Sequence, residues 1–270
     1  MKKALILAFC LLFLASCAKD VPAINTESPA PTATPVVKTP EPTVTPGKLE
    51  GEVDIERNTK GENFYASDGA KILTVTISLP EVVDDAYPEA AAIINSYYQS
   101  QQEKHLHYAE TERYEYAIYS YTNSSSAAEF TPYTSEQYFT VEFNERGYIS
   151  FCRRLVETSG ESVESSVISE TFEVSSGGLV TGSYLYTCSE EEFTKRVTDA
   201  IIEQIDGLNG SGFYPDYEQL VRSAFIPDCF YLTPDGIAYY FQTYELAGEE
   251  MGSPVFIIPY EDVEDIFRLW

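Results

Sequence analysis

"YTSEQYFTVEFNERGYISFCRRLVET", Tyr133 to Thr158, is the stretch on which the fold turns. Its apolar residues recur at every second position, with Phe139, Val141 and Phe143 on one predicted face, the pattern of a half-buried strand. Asn144-Glu145-Arg146-Gly147 then supplies turn chemistry, and Tyr148 onward reads as the partner strand. "SVISETFEV" (166–174) follows as a third strand and stops at Gly177-Gly178. The expectation is an antiparallel meander.

Working outward, Lys71 to Leu79 is rich in β-branched residues and predicts another strand. Pro88 opens a helical stretch, where its missing N–H costs nothing in the first turn. Ile93, Ile94, Tyr97 and Tyr98 keep helical spacing, and Ala117 and Ile118 prolong the stripe through 107–122. Ser189 and Glu192 form a capping box before a second helix, marked by Phe193, Val197, Ile201 and Ile205 and stopped at Gly207. A short helix is expected over 216–224. A hairpin turning at Pro234-Asp235-Gly236, a strand at 255–259 and a short helix at 260–267 close the chain. Helices and strands read as antiparallel are mixed, so the predicted class is α+β, antiparallel sheet packed by one long and several shorter helices.

The N-terminus belongs to a different kind of segment. Lys2 and Lys3 precede an apolar run, Ala4 to Leu14, of signal-peptide length and too short to span a bilayer. Leu14-Ala15-Ser16-Cys17 resembles a bacterial lipobox, with Cys17 as the lipidated residue and 1–16 as the leader; an ordinary secretory signal cut nearby is the alternative. Two acyl chains on one residue suffice for stable anchoring. Residues 17–62 read as a Pro- and Thr-rich stalk without helical or strand period. The remainder divides into an N-terminal part, 63–175, and a C-terminal part, 176–270. The expected location is the outer face of the cytoplasmic membrane.

Charge and chemistry narrow the function. The chain has 17 basic and 43 acidic residues, net −26. That argues against nucleic acid, which needs a basic footprint. It fits either solvation or the steering of a cationic partner. After the leader and Cys17, Cys152, Cys188 and Cys229 remain, compatible with one disulfide and a free thiol or with three free thiols. His105 and His107, two apart on a helix, point to different faces and read as solvated surface rather than metal ligands. No nucleophile motif, phosphate loop or dinucleotide fingerprint occurs. Glu249 with Glu250 is a carboxylate pair of the kind that glycosidases use, but acids are so abundant here that chance supplies such pairs. The chain is read as non-catalytic, with no cofactor or metal.

One segment carries a resemblance. Phe230-Tyr231-Leu232, Asp235-Gly236, Tyr244-Glu245-Leu246-Ala247, Gly252 and Ile258-Pro259 together are similar to the closing segment of the extracellular domain of RsiV-type anti-sigma factors. The part upstream, with Ile94-Asn95 in its helix, resembles the domain that precedes it there and that also accompanies some peptidoglycan deacetylases. The chain departs from that pattern at Thr158 to Ser162, where it lacks a histidine, and at Ala247 to Gly252. The resemblance implies a binding ectodomain whose ligand is a lysozyme-like cationic protein. The loop over Tyr244, Glu245, Ala247, Gly248, Glu249, Glu250, Met251, Gly252 and Ser253 is the candidate binding surface; an ordinary strand connection is the alternative. A peptidoglycan-binding or envelope-organising module is the second reading, and a wall hydrolase the third. Tyr214, Tyr217, Tyr231, Tyr239, Tyr240 and Tyr244 cluster in the last third, and strand alternation predicts that about half face outward.

Overall fold

The computed structural model describes residues 51–125 and 130–269. Cys17, the leader and most of the stalk lie outside them. The described residues form part of one compact unit, Pro46–Trp270. No helix among them is long and apolar enough to cross a membrane.

Six strands form a curled sheet in the order of the chain: β1 (Ile55–Tyr65), β2 (Lys71–Val82), β3 (Tyr133–Glu145), β4 (Tyr148–Ser159), β5 (Ser162–Glu173) and the two-residue β6 (Leu179–Val180). A continuous helical rod joins β2 to β3. It runs as α1 (Pro88–Tyr108), one π-helical turn (Ala109–Arg113) and α2 (Tyr114–Thr122), as the extended apolar stripe predicted. It covers one sheet face through Ile94, Tyr98, Leu106, Ala109 and Ala117, which pack on Val75, Ile77, Phe151 and Phe172. On the other face lies a three-stranded sheet, β7 (Phe230–Leu232), β8 (Gly236–Tyr240) and β9 (Val255–Pro259). α3 (Glu190–Gly207), α4 (Tyr217–Ala224) and the one-turn α5 (Tyr260–Val263) complete that side. Ser189 caps α3, its Oγ accepting from the Glu192 N–H at 3.2 Å, and Phe193, Val197, Ile201 and Ile205 are buried as the stripe requires. The architecture is α+β.

Several expectations need correction. β1 begins at Ile55, inside the span assigned to the stalk, and pairs with β2 from Ile55↔Val82 onward. Its sequence, IERNTKGENFY, is mostly polar because it is a solvated edge strand, so no apolar period betrays it. β2 and β3 pair in parallel, since the helical rod carries the chain back to the same end of the sheet. A bulge falls between Val141 and Phe143. The extra residue moves Phe143 to the opposite face: Phe139 joins the core under the rod, Phe143 joins the core around α3, and Val141 is exposed. The alternation of Tyr239 and Tyr240 also fails to leave one outside. β8 is buried on both faces, Tyr239 against α3 and Tyr240 against β5. The final helix ends at Val263.

His105 is not a solvated surface residue. It is buried, with Nε2 3.0 Å from Ser135 Oγ, and Ser135 in turn donates to Glu157 Oε1 at 2.9 Å. The hydroxyl sits between imidazole and carboxylate, and its one proton goes to Glu157, so His105 Nε2 is the donor to Ser135. Burial, then the Arg153 charge, pushes the His105 pKa down. His107 is exposed. Arg113, on the π turn, is buried beside Glu157 and donates from Nη2 to the Thr158 carbonyl at 3.0 Å.

Partly buried phenols make stability pH-dependent at the alkaline end. Burial, then a nearby carboxylate, pushes Tyr97 and Tyr108 up to about 12. Burial, then Cys152, does the same to Tyr231. A group whose folded pKa exceeds its unfolded value contributes fully below the unfolded value, here about 10, and its contribution is lost as pH rises toward the folded one. The contribution of these three phenols is therefore expected to be level up to about pH 10 and to fall between 10 and 12. Tyrosinate absorbance followed beside circular dichroism checks this. Ionisation of all 21 phenols within that window before any loss of structure would contradict it.

Candidate functional site

The site is built where β8 ends. Phe241 is buried and its N–H donates to the Pro254 carbonyl at 3.0 Å, the last rung toward β9. Gln242 then turns sideways. Its Oε1 accepts from the Val167 N–H at 3.0 Å and its Nε2 donates to the Val167 carbonyl at 2.8 Å, so one side-chain amide occupies a rung on β5. The Gln242 N–H donates to Glu245 Oε2 at 2.7 Å, closing a tight turn. Tyr244 sits at the tip of that turn with φ +73°, its side chain exposed. Leu246 and Ala247 return to the core, with the Leu246 carbonyl accepting from Tyr214 N–H at 2.9 Å and Ala247 bridging to Phe213. A 3-10 turn, Glu249–Met251, and Gly252 at φ +66° lead into β9.

Facing this loop is the tip of the β4–β5 hairpin. Gly160, at φ +65°, takes the first central position of its two-residue turn. Between the two walls lies a groove of about 750 Å³, lined on one side by residues 161–166 and on the other by Gln242, Thr243, Tyr244, Glu249 and Gly252. Glu161, Glu164 and Glu249 give it three carboxylates, and its lining contains no lysine, arginine or histidine. Arg154 lies next to it, donating to Ser165 Oγ at 3.2 Å. The Tyr244 pKa is raised by desolvation and by its hydrogen bond to Glu249.

The structure therefore divides the predicted surface. Tyr244, Glu249 and Gly252 line the groove. Glu245 is occupied in holding the turn, and Ala247 is buried. Ser253 stands behind the loop, its Oγ 3.4 Å from Thr243 Oγ1. Gly248, Glu250 and Met251 line a separate depression with Gly212. Glu249 and Glu250 thus contribute to different hollows. The other wall, the hairpin tip, coincides with Thr158 to Ser162, where the sequence departs from the RsiV-type pattern, and no local signal pairs it with the loop. Cys152, Cys188 and Cys229 are free thiols. Among the described residues no cluster of metal-ligating side chains occurs.

Tyr244 is strained: an L-residue in the left-handed region costs roughly 1–2 kcal/mol. Tyr244→Gly is expected to raise stability by about 0.5–1 kcal/mol after allowing for the extra backbone entropy of glycine. Chemical denaturation of both forms checks this; a variant less stable than the parent would show that the ring, not the turn, holds the loop.

Residues 190–261 match DUF3298, described as a protein of unknown function. The DUF3298 span runs from α3 to the first residues of α5, so it contains the loop wall of the groove but not the hairpin wall. A crystal structure of a DUF3298 family member from Bacteroides fragilis is 18% identical with a TM-score of 0.58, over 82% of this chain and 96% of that one. A DUF3298 family protein from Pseudomonas aeruginosa PAO1 is 12% identical with a TM-score of 0.52, over 80% of this chain and 94% of that one. At these identities the DUF3298 structures show a shared fold. No curated protein matches the chain.

Proposed function

We propose that this chain is a lipid-anchored extracytoplasmic binding protein, non-catalytic, whose groove between the β4–β5 hairpin and the 242–252 loop takes a cationic protein. The observation that carries the reading is the three-carboxylate lining of that groove, with the strained Tyr244 held at its rim. Complementary potential speeds encounter and rejects wrong partners more than it adds raw affinity. Tyrosine at a rim provides contact area at low entropic cost. The similarity to RsiV-type ectodomains supports a lysozyme-like wall enzyme as the ligand, and Leu14-Ala15-Ser16-Cys17 supports the anchor.

The test is calorimetric titration of residues 46–270 with lysozyme, beside an unrelated protein of similar positive charge, at low and near-physiological salt. Binding selective for lysozyme, surviving salt and weakened roughly tenfold (~1.4 kcal/mol) by Glu164→Gln with Glu249→Gln, is expected. Equal binding to both proteins, abolished by salt, would reduce the acidic surface to solvation.

A second reading, peptidoglycan binding, has one observation of its own. A depression of about 390 Å³ between β2 and α1 is lined by Asn58, Ser96, Gln99 and Gln102, amides and a hydroxyl suited to sugar hydroxyls, while Asn95 in its wall is held by the Val82 main chain. Pelleting with purified cell wall, lost on Gln99→Ala with Gln102→Ala, would favour it.

A further inference from the structure

The hairpin wall of the groove is an open strand edge. Antiparallel pairing with β4 turns the N–H and C=O of alternate β5 residues outward. Three rungs show which residues these are. Glu173 N–H donates to the Gly178 carbonyl at 2.9 Å and its carbonyl accepts from Gly177 N–H at 2.8 Å. β6 covers Thr171 and Phe172. Gln242 fills both outward groups of Val167. By the same alternation Ser165 and Val163 point their main-chain groups out, and among the described residues nothing meets them. The edge is closed by chain at one end, plugged by a side-chain amide in the middle, and open where it enters the groove.

We propose that the groove binds its partner by strand addition: an extended cationic segment pairs antiparallel with β5 at Val163 and Ser165, with Gln242 as the stop that sets its register. This rests on the groove reading above and says how the partner is held. Main-chain bonds to an edge supply affinity, and alternate side chains supply specificity. The residue opposite Val163 lies beside its exposed apolar side chain, and the neighbours of that residue share the face of Glu164. The recognised pattern is therefore lysine or arginine alternating with β-branched residues. At about 3.3 Å per residue, the run from Val163 to Val167 accommodates about four residues of added strand.

The experiment titrates the full chain with three peptides of equal charge. They are acetyl-Lys-Val-Lys-Val-Lys-Val-Lys-amide, the same peptide N-methylated at its valines, and the same peptide N-methylated at its lysines. Amide hydrogen exchange at Val163 and Ser165 is read alongside. Strand addition predicts that methylation at valine weakens binding at least tenfold, that methylation at lysine does not, and that both β5 amides become protected. Equal binding of all three peptides would overturn it; if that binding is also lost in Glu164→Gln with Glu249→Gln, the charged groove stands without a strand. Selective binding that leaves Val163 and Ser165 unprotected would place the strand on another edge and also overturn it. So would failure of every peptide to bind while lysozyme binds. Failure of lysozyme and peptides together would remove the groove reading itself.

Discussion

Glu170→Ala is expected to lower the free energy of unfolding by about 3–5 kcal/mol, as removal of one partner from a buried ion pair does. Arg153 and Glu170 are 2% and 4% exposed, in the sheet face beneath the helical rod. Glu170 receives the Arg153 guanidinium through Nε and Nη2, and also the hydroxyls of Tyr97 at 3.1 Å and Tyr98 at 3.2 Å. Truncation leaves a guanidinium and two phenols without their acceptor in a largely buried site. The companion variant, Arg153→Met with Glu170→Leu, removes both charges and is expected to cost much less, because desolvation of the pair offsets most of its attraction. Urea unfolding of the two variants checks the difference. A small effect of Glu170→Ala alone would mean that the carboxylate is solvated.

Phe193→Ala is the other large case, at about 3–5 kcal/mol. Phe193 is 2% exposed; it stacks on Tyr186 with centroids 4.1 Å apart and meets Tyr239 edge-on at 6.4 Å. It anchors α3 to the small sheet that carries the groove loop. The two cores lie on opposite faces of β4, where Tyr148 to Phe151 are all buried. Polar ties also cross between the sheets: Leu232 N–H donates to Ser150 Oγ at 3.0 Å, and Ser169 Oγ donates to the Phe230 carbonyl. One cooperative transition, shifted as a whole, is therefore the expected result. Loss of the α3 side while the helical rod stays folded would instead divide the chain into two units near residue 175.

What the sequence made legible follows from interaction range. α3 could be read residue by residue because its cap and stripe are local. The β3–β4–β5 meander could be read because its turns are short. β1 could not, since a polar edge strand shows its pairing only through β2. The bulge at Val141–Phe143 hides in a perfect alternation, and only the second core on the far face explains why Phe143 must flip. His105 looked solvated because Ser135, which buries it, is supplied by a strand beyond the rod. Of the groove, the loop wall was legible through Tyr244, Glu249 and Gly252. The hairpin wall was not, because it is tied to the loop through the Gln242 amide, a contact between residues 75 apart in the chain.

The parallel ladder between β2 and β3 also sets an order of assembly. Leu73 and Tyr133 must meet across roughly sixty residues, whereas the hairpins and the helical rod need only neighbours. Helix and hairpin formation takes microseconds, while non-local pairing must first overcome loop closure. The rod is thus expected to form before the ladder it bridges, shortening the distance the chain has to search. Folding would then be limited by the docking of one preformed hairpin, β1–β2, onto the side of another, β3–β4. Until that docking, the apolar underside of the rod has no partner, and the nascent chain is at its most adhesive.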